Sequence, residues 1–198
     1  MNYINFLKNT DHMTELELLL FQVGHHCAPT FAGVKPSSLI NISNANDIEA
    51  WHKYHDELDD IIKINYKVLK DTSKNIVVLF YNENLLQTLL NNPSVQNFLT
   101  EVGYNKFNVD SILNHLRSRY ALECPHEIGV ILGYPLNDVI SFYECKNQPC
   151  LLVGYWKVYH DEPSAIQMFS TFDRVKEDYH YYLECGYQPS EIISKLLV

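Results

Sequence analysis

A chain of 198 residues, 46% of them hydrophobic and spread without low-complexity tracts, is long enough for one domain (1–198) with a sizeable core, which excludes a disordered chain. A formal net charge of −9 repels phosphate backbones and anionic lipid heads, so neither nucleic acid nor membrane is an expected partner. The first dozen residues carry no basic stretch followed by an apolar one, and the apolar run at 18–21 is far too short to span a bilayer; a soluble, cytoplasmic protein is expected.

In chain order, a first helix is expected over residues 14–23, with Leu16, Leu19, Leu20 and Val23 on one face and Gly24 ending it. The segment HHCAPTFAG then reads as a loop, and residues 38–42 as a short strand. Asn46 with Glu49 resembles a helix-start box, and apolar residues at helical spacing carry a long amphipathic helix to about Lys70. The run IVVLFY at 76–81 is continuously apolar, as in a strand covered on both faces of a parallel sheet, so that strand, helix and strand form a right-handed βαβ unit. Beyond it the punctuation marks helices. Asn92-Pro93 opens one that Gly103 closes, Asn108 opens another, Cys124-Pro125 opens a third that Gly133 closes, and Pro135 opens a fourth. Residues 150–159 (CLLVGYWKVY) return to strand character, Pro163 starts a tyrosine-rich helix ended by Gly186, and Pro189 starts a last short one. Phe169, Phe172, Tyr179 and Tyr182 recur at helical spacing and are expected to be buried in the core or at a homodimer face. The expected fold is α/β and helix-rich, with a small mixed or mostly parallel sheet of about three strands covered by helices.

Three segments, HCAPTFAGVKPSSL at 26–39, CPHEIGVILGYPLNDVISF at 124–142 and VGYWKVY at 153–159, together resemble the uncharacterised bacterial family of domains of unknown function numbered 3793. The resemblance covers essentially the whole chain. It implies no activity, substrate or cofactor, and directs attention to His26, Cys27, His126, Glu127 and Lys157, which sit inside the matching blocks. His25, Cys145, Cys150 and Cys185 lie outside them.

Five cysteines without a CxxC pair signal neither a disulfide framework nor a zinc ribbon, so reduced thiols are expected. His25-His26-Cys27 sets two imidazoles beside a thiol, ligand types that suit zinc, iron or haem, and also a buried cysteine with helix-capping histidines. His126 and Glu127 follow a proline at a helix start, where Glu127 suits capping and His126 suits a neutral base or metal ligand. His52, His55, Asp56 and Asp59 share one helical stripe that reads as a solvated face or a di-metal edge. Strand alternation sets Tyr155, Lys157 and Tyr159 on one side, with Lys157 and Tyr155 placed to hold an anion or to protect a sheet edge. GxGxxG, GxxxxGK[ST], HExxH and GxSxG are absent.

Three functions stay open. One is a ligand-binding protein that holds a small molecule, a metal or haem through His26, Cys27 and His126. The second is a thiol-dependent enzyme with Cys27 as nucleophile, assisted by His126 and Glu127. The third is a non-catalytic interaction module. A shared site requires the Cys27 sulfur and the His126 ring to meet, with Lys157 or Glu127 nearby.

Overall fold

The computed structural model describes residues 13–144 and 148–197, so Cys145, the N-terminal dozen residues and the Asp59 side chain lie outside it. The apolar run Ile76–Tyr81 forms strand β3 and is buried at every position. On either side of it run β1 (Ser37–Ile42) and β2 (Asn65–Asp71), in the order β1-β3-β2, each antiparallel to β3. The expected mostly parallel sheet is therefore not formed. β1 and β2 do run parallel to one another and are joined through helix α2 (Ala45–Ile62), but β3 separates them. A continuous apolar strand reports cover on both faces and is silent on strand direction. Here Ile76, Val78 and Phe80 enter one core while Val77, Leu79 and Tyr81 enter the other.

The first core is closed by α1 (Glu15–Phe31), α2, and the C-terminal helices α8 (Glu162–Glu184) and α9 (Pro189–Leu196). α1 continues well past the expected end at Gly24, with Pro29 inside it, so the HHCAPTF stretch is helical and not a loop. Gly24 is there for close approach: a Cβ on it would stand 2.3 Å from the Tyr179 hydroxyl of α8. The helix ends instead at Ala32, followed by Gly33 at φ 65°. α2 is shorter than expected because Lys63 turns left-handed (φ 44°) and the chain then alternates, sending Ile64, just before β2, and Tyr66 and Val68 within it toward the first core.

On the other face lie α3 (Glu83–Leu90), α4 (Pro93–Glu101), α5 (Val109–Tyr120), the short α6 (Ile128–Ile131) and α7 (Leu136–Glu144). Asn92 and Asn108 cap α4 and α5 as expected, each accepting from a backbone N–H. The expected strand at 150–159 is a small hairpin of β4 (Leu152–Val153) and β5 (Lys157–Val158), which packs on α8 in a third cluster around Trp156, Val158 and Phe172. Of the aromatic residues expected to be buried on α8, Phe172 and Tyr179 are fully so and Phe169 and Tyr182 partly. Among the described residues no helix is long and apolar enough to cross a membrane.

Candidate functional site

Consecutive serines at the start of β1 point to opposite faces and fasten the family's first block to the rest of the fold. Ser38 Oγ bonds Thr30 Oγ1 of α1 at 2.8 Å, and Ser37 Oγ donates to the Ile131 carbonyl of α6 at 2.7 Å. Gly133, at φ 80°, ends the turn after α6 and lies so close to Pro36 that a Cβ there would come within 2.6 Å of the proline ring. The next residue, Tyr134, stacks on Trp156 with ring centroids 5.0 Å apart. Trp156 in turn donates its indole N–H to Asp138 Oδ2 at 2.8 Å, while Asp138 Oδ1 accepts from the backbone N–H groups of Tyr159 and His160, both at 2.9 Å. The buried Asp138 thus has both oxygens occupied in pinning the hairpin to α7. All three family blocks meet, and the residues that join them are Ser37, Pro36, Gly133, Tyr134, Asp138 and Trp156.

Between α6, α7 and the hairpin this junction leaves a cleft of about 310 Å³, lined by Cys124, Pro125, His126, Ile128, Gly129, Tyr134, Asp138, Val139, Phe142, Trp156 and Lys157. Its walls are apolar and aromatic. The half-buried His126 ring meets Phe142 edge-on at 5.1 Å, and the exposed Lys157 holds its ammonium 5.7 Å from the same ring. Cys124 is exposed at the rim and bonds Tyr120 Oη through its sulfur at 3.2 Å.

Glu127 follows His126 but faces the interior. Its carboxylate accepts from Tyr104 Oη at 3.1 Å, and from Arg119 through Nε and, at 3.3 Å, through Nη2. It makes no capping bond to α6, contrary to the capping expectation, because the ion pair takes both oxygens. The bond to Glu127 holds the Arg119 guanidinium above its ordinary pKa, and burial with the adjoining carboxylate raises the Tyr104 phenol. Glu127 acts as a structural anion and does not line the cleft.

Cys27 lies on the inward face of α1, fully buried in the first core, and burial pushes its thiol well above the ordinary value. A protonated, enclosed sulfur suits neither nucleophilic attack nor metal ligation. His26 faces outward, and the His25 ring bonds His180 of α8, Nδ1 to Nε2, at 2.8 Å. Successive helical residues point about 100° apart, so His25, His26 and Cys27 diverge. Among the described residues no three His, Cys, Asp or Glu side chains gather to hold a metal, and His26, Cys27 and His126 form no such group. The stripe on α2 likewise stays a solvated face, where His52 pairs with Asp71 of β2 at 3.5 Å and His55 with Asp56 at 3.3 Å.

The hairpin also divides the residues expected to share one strand face. Tyr155 donates to Asp173 Oδ1 of α8 at 2.7 Å, whereas Lys157 turns to the cleft. Cleft residues that the sequence did not single out include Tyr134, Asp138, Phe142 and Trp156. All lie inside the quoted blocks, where the aromatic residues and one aspartate were legible but their burial and contacts were not.

Neither the curated proteins nor the solved structures gave a match to this chain. Residues 23–193 match the family described as protein of unknown function (DUF3793), a span that includes the three blocks and the cleft they build. The chain belongs to that family.

Proposed function

We propose that the chain is a ligand-binding protein that takes a small, flat, largely apolar acid into the cleft of α6, α7 and the hairpin. The observation that carries this reading is the cleft's composition: aromatic and aliphatic walls from Tyr134, Val139, Phe142 and Trp156, with the Lys157 ammonium at one edge. Apolar walls with a few placed polar groups are the usual make-up of small-molecule sites, and a volume of about 310 Å³ suits a ligand of one or two rings. Lys157 supplies the charge that orients an acid, and His126 a ring nitrogen beside it. Asp138, engaged on both oxygens by three donors, keeps the wall rigid and so reduces the cost of ordering the site on binding.

The test uses 8-anilinonaphthalene-1-sulfonate, an apolar fluorescent anion. It should bind one site with saturable fluorescence. Lys157→Ala should weaken binding roughly tenfold, the loss of one charge-assisted contact. His126→Trp, which fills the mouth from a half-buried position, should abolish it while the far-UV circular dichroism stays unchanged. Equal dye binding by all three proteins would overturn the assignment.

A further inference from the structure

Lys35, in the family's first block, has no part in the cleft lining, yet it is only 7% exposed. Its ammonium lies 5.5 Å from the centroid of Tyr134 and 5.8 Å from that of Phe172. Among the described residues no carboxylate forms an ion pair with it. A second lysine, Lys176 of α8, is near enough to repel it, and the neighbouring Cys27 thiol is neutral. Ring faces attract a cation but cannot replace the water it has lost.

We propose that Lys35 is a nucleophilic amine that condenses with small aldehydes or ketones to form an imine. Lysines become nucleophilic when they are desolvated in an apolar setting or placed beside another cation, and Lys35 meets both conditions. Burial, opposed by Cys27 and helped by the charge of Lys176, brings its pKa down to about 8, so about a tenth of the amine is unprotonated at pH ~7 and about half at pH ~8. In the reaction the amine lone pair forms a C–N bond to the carbonyl carbon as the C=O π bond breaks, and the oxygen takes up one of the amine's two protons through solvent. The resulting hydroxyl then leaves with the nitrogen's proton as water, giving C=N. A protonated imine is a flat cation, a shape that the rings of Tyr134 and Phe172 accommodate. Tyr134 is also a wall of the cleft, so the amine lies behind that wall and not in the cleft itself. The reactivity of Lys35 does not rest on the ligand-binding reading above.

Benzaldehyde with sodium borohydride provides the test, applied to the full chain and read by mass spectrometry of its peptides. Borohydride adds hydride to the imine carbon and solvent supplies a proton to nitrogen, leaving a stable secondary amine. At pH ~8, Lys35 should be modified at least roughly tenfold faster than the exposed Lys74 and Lys106, which serve as surface references. Lys35→Arg should remove the adduct from its peptide. Lys176→Met should move the midpoint of the rate's pH profile upward by relieving the like charge. Modification of Lys35 no faster than Lys74, or a profile that Lys176→Met leaves in place, would overturn the proposal. A cleft that fails to take up the anionic dye would remove the ligand reading and leave this one standing, because trapping is read on the Lys35 peptide itself.

Discussion

Glu127 and Arg119 show how one ion pair divides unequally between its partners. The Glu127 side chain is 0% exposed and that of Arg119 35%, so water reaches the cation and not the anion. Removing the cation strands a buried carboxylate with Tyr104 as its remaining donor, whereas removing the anion leaves a guanidinium that can rehydrate. Arg119→Met should therefore lower the unfolding free energy by about 3–5 kcal/mol, as for a broken buried pair. Glu127→Gln, which keeps shape and hydrogen bonding, should cost only about 1–2 kcal/mol. Urea unfolding of the two variants measures both, and equal losses, or a larger loss for Glu127→Gln, would refute the argument. The same logic of solvent access separates Cys27 from Cys124. The first is held neutral by the core, while the second sits exposed at the cleft rim.

Packing of α1 on α8 joins two elements far apart in sequence through Gly24 against Tyr179 and His25 against His180. Tyr179 Oη also donates to the Phe21 carbonyl at 3.4 Å. Burial, with help from His26, His180 and Lys176, pulls the His25 pKa down to about 3, and burial lowers His180 as well. Each of these histidines binds its proton more weakly folded than unfolded, so the unfolded chain takes up protons first as pH falls. The stability they contribute is present above the unfolded value of about 6.5 and is lost as pH drops below it, continuing for His25 toward about 3. Glu184, which acts in the opposite direction on His180, softens the effect. The melting temperature should fall between pH ~7 and ~4 in the native chain and fall less in His25→Gln/His180→Gln. Parallel profiles for the two proteins would show that other groups govern the acid limb.

At the scale of the whole molecule, β3 belongs to both major cores at once, its alternate residues filling one and then the other. Neither core can lose its share of β3 without opening the other, which favours one cooperative transition. The two tryptophans report on it from different clusters, since Trp51 lies in the first core and Trp156 in the cluster of the hairpin and α8. In Trp51→Phe and in Trp156→Phe, the urea midpoint by fluorescence should match that by circular dichroism within each variant. A difference between the probes in Trp51→Phe would mean that the hairpin cluster unfolds by itself, and one in Trp156→Phe that the first core does. The net charge of −9 acts at this scale too: it weakens attraction to polyanions but leaves a local cation such as Lys157 able to orient a small acid.

Local chemistry in the sequence was enough to place most helix ends and the central strand. Asn92 and Asn108 cap because a short amide side chain accepts from exposed helix N–H groups, and Gly103, Gly133 and Gly186 follow helices because they adopt positive φ without strain. The unbroken apolar run of β3 needed two covered faces wherever it sat. The blocks HCAPT, PHEIG-LGYP and GYWKVY marked the segments that converge, and the family match spans them. Only the tertiary structure decided which of their residues meet. Gly24 has the same local freedom as a helix-ending glycine, and it took Tyr179, remote in sequence, to make it a packing glycine inside α1. Strand direction depended on β2, hidden because its alternation begins just as the period of α2 ends. Cys27, the most chemically suggestive residue of its block, went into the core because its face of α1 is the one that packs on the sheet. Pro36, Tyr134, Asp138 and Trp156 belong to the junction because contacts between distant segments, on which local periodicity has no bearing, hold them together.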